Sequence, residues 1–346
     1  MKKLLYLAWW FVRARFFGRR KPLQTVLFIS DKCNLRCKHC TVYSDNPLTK
    51  TYAQIKEELE YSYKEGARFV DFEGGEPFLW RDESVGDDGS SDVCGNGSGN
   101  GGRGDIGNSD SGDNGGNGSG NGNSNSGSVG DGGKTVNDLC GLARKIGFFS
   151  TTITTNAQMP FPDSRADSIW VSMDGTGKYH EQIRGEGTWE RLKKNIAGSN
   201  HPHLSVNMVV NKLNYENVED AIKFAKENPH IEKISINFHT PYEGTEHLYI
   251  DDPALRSKII DDIIKMKRRG YPIMNSVSGL KLMKHNKFTK QCWVSNFIMT
   301  DGTRLPQCPG NLVNVCDKCG FCMAGEMHAV YTFKPDTLLA GFSLRL

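Results

Sequence analysis

The 346-residue chain contains no uninterrupted run of about 20 apolar residues, the length a membrane-spanning helix needs. Its longest candidate, Leu4-Leu-Tyr-Leu-Ala-Trp-Trp-Phe-Val12, has nine. No small-residue cleavage site follows this run, which argues against a removable signal peptide. Acid is missing from residues 1–20, which carry Lys2, Lys3, Arg13, Arg15, Arg19 and Arg20. Residues 86–133 are poor in what a core requires: only Val93, Cys94, Ile106 and Val129 are apolar, and 19 of the chain's 38 glycines fall there. Such a segment cannot bury a core and reads as a disordered, flexible insertion. Its acids are scattered without a nine-residue period, which excludes a calcium-binding glycine repeat. Enlarging a short loop by about four doublings costs only roughly 2.4 kcal/mol of closure entropy, so a fold can carry it.

Charge follows the same division. The insertion holds seven Asp and one Arg, so the remainder of this +3 chain carries +9, six of it in residues 1–20. The body is only mildly basic, which argues against a nucleic-acid groove. Tryptophans and cations beside a short apolar helix suit the boundary between lipid headgroups and acyl chains. The apolar residues wrap most of the way around that helix, however, so packing on the protein body is an equal reading.

The rest of the chain alternates strand-like and helix-like segments. Strands are expected at Thr25–Ser30, Ala67–Glu73, Phe149–Thr155, Ser168–Met173, Leu204–Val210 and Ile234–Phe238. Helices are expected near 51–65, 135–146, 188–196, 218–228 and 254–269. This alternation implies an α/β fold with a parallel sheet covered by helices. By itself it does not separate an open sheet from a barrel.

Ten cysteines remain to be placed, and three fall in Asp31-Lys-Cys-Asn-Leu-Arg-Cys-Lys-His-Cys40. Cys33, Cys37 and Cys40 can hold three corners of an iron-sulfur cube. Four cysteines normally complete a 4Fe-4S cluster, so one iron is left for a non-protein ligand. A zinc site would need His39 as fourth ligand, cramped between two of the cysteines. Disulfides would need an oxidising compartment.

The spacing Cys-x3-Cys-x2-Cys after an apolar strand closely resembles the signature of the radical S-adenosylmethionine enzymes. The resemblance extends, in order, through Gly74-Gly-Glu-Pro77, Thr154-Thr-Asn156, Val171-Ser-Met-Asp-Gly175 and Ile183-Arg-Gly185, over roughly residues 23–325 apart from the insertion. It implies a partial (β/α)6 parallel barrel over residues 23–270, with the site at the strand C-termini. It implies a catalytic 4Fe-4S cluster on Cys33, Cys37 and Cys40, and S-adenosylmethionine held by Gly74, Gly75, Glu76, Pro77, Asn156, Ser172, Asp174 and Arg184. The two glycines are expected to let the backbone approach a ligand, Arg184 to face the cofactor carboxylate, and Asn211 to help cradle the adenine.

Five more cysteines, Cys292, Cys308, Cys316, Cys319 and Cys322, follow the barrel, with compact spacing that signals metal. This small cysteine-rich extension, residues 271–346, resembles the SPASM and twitch auxiliary-cluster regions. A full SPASM domain has seven cysteines, so four of these five are expected to hold a second 4Fe-4S cluster. Zinc is the alternative. Cys94 and Cys140 are expected to ligate nothing. Trp293, Tyr242 and Phe321 read either as pocket lining or as packing.

The resemblance implies reductive cleavage of S-adenosylmethionine to a 5′-deoxyadenosyl radical, which abstracts hydrogen from a substrate. An electron donor such as ferredoxin or flavodoxin is then required. Residues 1–22, basic and aromatic, point to a lipid or hydrophobic substrate and to a cytoplasmic enzyme peripheral on the inner membrane face. The C-terminal cysteines point instead to a peptide-modifying maturase. A non-catalytic iron-sulfur scaffold or regulator is the reading outside enzymology.

Overall fold

The computed structural model describes residues 2–84, 133–161, 163–338 and 340. The expected insertion at 86–133 lies outside the described residues except for Gly133, as does Cys94. Described residues up to Asp82 and from Lys134 onward belong to one compact unit.

In chain order the elements are α1 (Lys2–Phe16), β1 (Gln24–Ser30), α2 (Tyr52–Glu65), β2 (Phe69–Gly74), β3 (Arg81–Asp82), β4 (Lys134–Thr135) and α3 (Val136–Ile146). There follow β5 (Ser150–Thr155), β6 (Ser168–Ser172), α4 (Lys178–Arg184), α5 (Thr188–Ala197), β7 (Leu204–Val210), α6 (Val218–Glu227) and β8 (Ile234–Phe238). The last are α7 (Pro253–Arg268), α8 (Val277–Met283), β9 (Ser295–Ile298), β10 (Arg304–Leu305) and α9 (Met323–Tyr331).

The main sheet runs β10-β9-β1-β2-β5-β6-β7-β8. From β9 through β8 every neighbouring pair is parallel, and β10 is antiparallel to β9. The six strands expected from the sequence are β1, β2, β5, β6, β7 and β8, consecutive in the sheet and in sequential order, with β8 at the edge. Each joins the next through a crossover, as parallel pairing demands: helices follow β1, β2, β6 and β7, while β5 passes to β6 through residues 156–167, among whose described residues there is no helix. Two features go beyond the sequence pattern. The β9–β10 hairpin carries the C-terminal region onto the β1 edge. A separate ladder pairs Arg81 with Thr135 and Asp82 with Lys134, so the chain leaves and re-enters the fold at adjacent points.

The helices form where local chemistry stops the chain from fraying. Thr51 and Gln54 make a reciprocal capping box at the start of α2, which ends on Gly66, the pairing that satisfies orphan backbone donors. From α2, Ile55 and Leu59 are fully buried in the same core as Leu27, Ile29, Val70 and Phe72 of β1 and β2. Burial of each such side chain contributes about 1.5–3 kcal/mol.

Burial alternates along the strands, and the alternation separates two faces. Val70, Phe72, Ile153, Ile169, Val171, Val206 and Met208 are sealed beneath helices. Their neighbours Asp71, Glu73, Thr154, Trp170, Ser172 and Asn207 remain partly exposed. The barrel therefore has a helix-covered outer face and a polar inner face that water reaches.

Candidate active site

β1 ends at Ser30, and the cysteine loop begins three residues later. The loop is irregular, so its backbone needs partners from elsewhere. They come from Gly74-Gly75-Glu76 at the end of β2: Gly75 N–H donates to Ser30 O at 2.8 Å, and Glu76 N–H to Lys32 O at 2.9 Å. A Cβ at Gly74 would stand 2.1 Å from Ser30 O, and one at Gly75 2.3 Å from Lys32 O. Gly74 also has φ +140°, in the region that suits glycine. The glycine pair thus lets the backbone approach the start of the cysteine loop; the neighbour it admits here is another part of the chain.

Glu76 is 1% exposed. One carboxylate oxygen accepts from Thr155 Oγ1 at 2.8 Å and Phe78 N–H at 3.1 Å, the other from Asn156 N–H at 2.8 Å. Burial still raises its pKa against those donors. Pro77 starts a short 3-10 turn beside it. Asn156 Nδ2 reaches Asn34 Oδ1 at 2.8 Å and Cys33 Sγ at 3.7 Å. The Gly-Gly-Glu-Pro segment and Asn156 are therefore joined to one another and to the loop carrying Cys33.

On the opposite side, Lys38 N–H donates to Ile183 O of α4 at 3.0 Å. Arg184, the last residue of α4, places Nε 2.7 Å from Asp174 Oδ2 and Nη1 3.8 Å from Cys37 Sγ. Asp174 has no exposed surface and accepts from Val209 N–H through Oδ1. Burial alone would raise the Asp174 carboxyl; Arg184, His39 and His180 outweigh it and hold its pKa below the ordinary range. Arg184 was expected to meet a cofactor carboxylate, and the structure gives it a partner within the chain. Asn211 spends its side chain on its own turn, accepting from Leu213 N–H at 2.8 Å. Ser172 lies on the inner face at the end of β6.

Backbone N–H groups point at two of the three sulfurs. Leu35 N–H donates to Cys33 Sγ at 3.4 Å, and Val42 and Tyr43 N–H donate to Cys40 Sγ at 3.4 and 3.3 Å. Donors of this kind stabilise thiolates carrying a metal's charge. Without that charge, burial pushes the Cys37 thiol up to about 11. Among the described residues no three His, Cys, Asp or Glu side chains converge on a single metal ion, and no described cysteine is in a disulfide.

The C-terminal cysteines divide unequally. Cys292, Cys308, Cys316 and Cys319 lie close enough to act on one another electrostatically. Cys322 interacts with Arg256, Glu326 and, of the cysteines, Cys319. It is 1% exposed, belongs to the main core, and donates its N–H to Asn237 Oδ1 at 2.9 Å. Gly320 allows this docking: its carbonyl accepts from Phe238 N–H at 2.8 Å, and a Cβ there would overlap Phe238 O. Cys140 is buried in the core on α3. Trp293 packs against Trp10 at 5.6 Å, and the ring of Phe321 is largely exposed. Tyr242 shares a hydrogen bond with Cys308.

His180 and Glu73 were not singled out from the sequence, and His39 was named there only as the fourth ligand of a zinc site. His39 and His180 are buried with Nδ1 and Nε2, respectively, unpartnered among the described residues, and burial lowers their pKa values to about 4 and about 3. Glu73 precedes the glycine pair on the inner face of β2. Its carboxylate accepts from Thr154 Oγ1 at 3.3 Å, and burial followed by repulsion from Asp71 raises its pKa to about 7. Some solvent still reaches it. Its position in the two-residue period of the strand was the available signal.

No family model matches the sequence, and no curated protein does. Solved structures do. SuiB of Streptococcus suis bound to S-adenosylmethionine superposes with a TM-score of 0.57 at 16% identity, over 85% of this chain and 61% of that one. SuiB bound to its precursor peptide SuiA gives 0.54 at 15%, over 92% and 66%. The enzyme anSMEcpe with bound AdoMet and the Kp18Cys peptide gives 0.53 at 15%, over 91% and 81%. The chain thus spans less than two thirds of the length of SuiB. At these identities the likeness shows the fold alone, which the chain shares with SuiB and anSMEcpe.

Proposed function

We propose that this protein is a radical S-adenosylmethionine enzyme. The observation that carries the reading is the cysteine loop itself, fastened by Gly74-Gly75-Glu76 on one side and by Arg184 on the other, at the C-terminal ends of the parallel strands. Cys33, Cys37 and Cys40 would hold the catalytic 4Fe-4S cluster, and Cys292, Cys308, Cys316 and Cys319 a second cluster. S-adenosylmethionine would be held by residues 74–77, Asn156, Ser172, Asp174 and Arg184. When bound, cluster and cofactor supply a 5′-deoxyadenosyl radical that takes a hydrogen atom from the substrate, using an electron from a low-potential donor such as ferredoxin or flavodoxin. The chain's own task is to hold the loop rigid, keep Asp174 ionised against Arg184, and present a shielded recess to the substrate.

The inner face bears on the substrate. Asp71, Glu73, Thr154, Ser172 and Asn207 make it polar, so the reacting part of the substrate is polar too. A lipid whose headgroup enters the recess satisfies this and the aromatic, basic α1 together. The peptide reading draws on SuiB and anSMEcpe, whose structures hold peptides.

The test is anaerobic reconstitution, with iron and sulfide counted per chain, followed by reduction with S-adenosylmethionine and assay of 5′-deoxyadenosine. About eight irons and nucleoside formation that Cys37→Ala abolishes support the reading. Full clusters without nucleoside, in the presence of lipid and peptide candidates, point to an iron-sulfur scaffold.

A further inference from the structure

We infer that the outer face of α1 is a docking surface for an anionic membrane. This concerns where the protein stands and is independent of the reaction it performs.

Two stripes run along α1. The inner one is committed to the protein body: Tyr6 hydroxyl donates to Gly66 O at 2.7 Å, Trp10 Nε1 to Lys21 O at 2.8 Å, and Trp10 and Ala14 are 8% and 4% exposed. Phe11 meets Tyr331 edge-on at 5.5 Å. Packing on the body, one of the two readings of this segment, accounts for these residues, for Arg15, whose Nε donates to Tyr331 O at 3.4 Å, and for Arg20, which lies 6.0 Å from the Trp293 ring.

Leu5, Trp9 and Phe16 recur one and three turns apart on the other side, and they are 66%, 56% and 63% exposed. An aqueous protein seldom spends a tryptophan, a leucine and a phenylalanine on one open helix face without a partner. Phe17 extends the patch at the C-terminal end and is 66% exposed. There Arg15 lies 5.6 Å from the Phe16 ring and 6.0 Å from that of Phe333, itself largely exposed.

The charges choose the partner. Lys3, Arg15, Arg19, Arg20 and Lys21 are exposed on α1 and on the chain just after it, and the chain's first acidic residue is Asp31. Cations beside a shallow row of Trp, Leu and Phe match the interface of an anionic bilayer, where rings enter the headgroup region and cations meet lipid phosphates. At 15 residues, α1 lies on such a surface rather than crossing it, and no described helix is long and apolar enough to span.

The experiment is co-sedimentation of the full chain with phosphatidylglycerol–phosphatidylcholine vesicles and with phosphatidylcholine vesicles alone. Wild type is expected on the anionic vesicles, less so as salt rises, with affinity at least about tenfold lower for Leu5→Ser/Trp9→Ser/Phe16→Ser. All three positions are exposed, so the variant's melting temperature should match wild type. Lys3→Gln/Arg19→Gln, two exposed cations, should weaken binding to anionic vesicles without altering the helix. Failure of wild type to sediment with anionic vesicles, or undiminished binding by the triple variant, overturns the inference. Self-association of wild type without vesicles, abolished by the triple variant, overturns it in favour of a second copy of the chain.

Discussion

The guanidinium of Arg184 stands between the buried carboxylate of Asp174, 2.7 Å from Nε, and the sulfur of Cys37, 3.8 Å from Nη1. A buried carboxylate stripped of its cation is left uncompensated, which typically costs about 3–5 kcal/mol. Arg184→Met is expected to lose that much in urea denaturation. Asp174→Asn should lose less, since an amide oxygen can still accept from Val209 N–H. The double variant should be more stable than the sum of the single losses implies. Additive losses would show that the two groups are not energetically paired.

The glycines of the Gly74-Gly75 turn are spaces filled by the backbone of Ser30 and Lys32. Gly74→Ala and Gly75→Ala should each cost about 2–4 kcal/mol and disengage the cysteine loop while leaving the barrel helical signal in place. Reconstituted iron at the first site would fall with them. Normal iron content in both variants would mean that the loop reorganises freely.

Among the C-terminal cysteines, Cys322 belongs to the core. Cys322→Ala should retain about eight irons per chain at some cost in stability, whereas Cys308→Ala and Cys316→Ala should each retain about four. Loss of iron from Cys322→Ala with full loading of Cys292→Ala would reverse the assignment.

Glu73 makes stability depend on pH in the direction opposite to a salt-bridged acid. Its pKa rises from 4.5 to about 7 in the folded chain, so between those values the unfolded state releases a proton that the folded state keeps. Stability contributed by the protonated form is present below about pH 4.5 and is lost as pH rises through about 7. Glu73→Gln removes this slope. The difference in urea midpoint between wild type and Glu73→Gln should therefore widen from pH 5 to pH 8, with the variant the more stable at pH 8. Parallel curves would place the Glu73 titration at its ordinary value.

Five of the six parallel strands were legible because they carry apolar residues at every second position, which must be buried; β5, with Thr151 and Thr155 on either side of Ile153, was legible from its β-branched residues. The cysteine loop and Gly74-Gly75 were legible from spacing. Arg184 was harder to read. It ends α4, a seven-residue helix between Gly177 and Gly185, and is 9% exposed. No pattern in so short a segment shows which side meets Asp174. The unequal fates of the last five cysteines were likewise hidden, because spacing is blind to Asn237 and Phe238, the β8 residues that draw residues 320–322 onto the barrel. The apolar run in α1 hid two stripes with different partners, which a count of hydrophobic residues merges into one.

The ladder between β3 and β4 sets Asp82 opposite Lys134 and acts as a clasp. Two chain ends held side by side by backbone pairing keep their places in the barrel by themselves, so an engineer can treat this point as a socket for a reporter or tether.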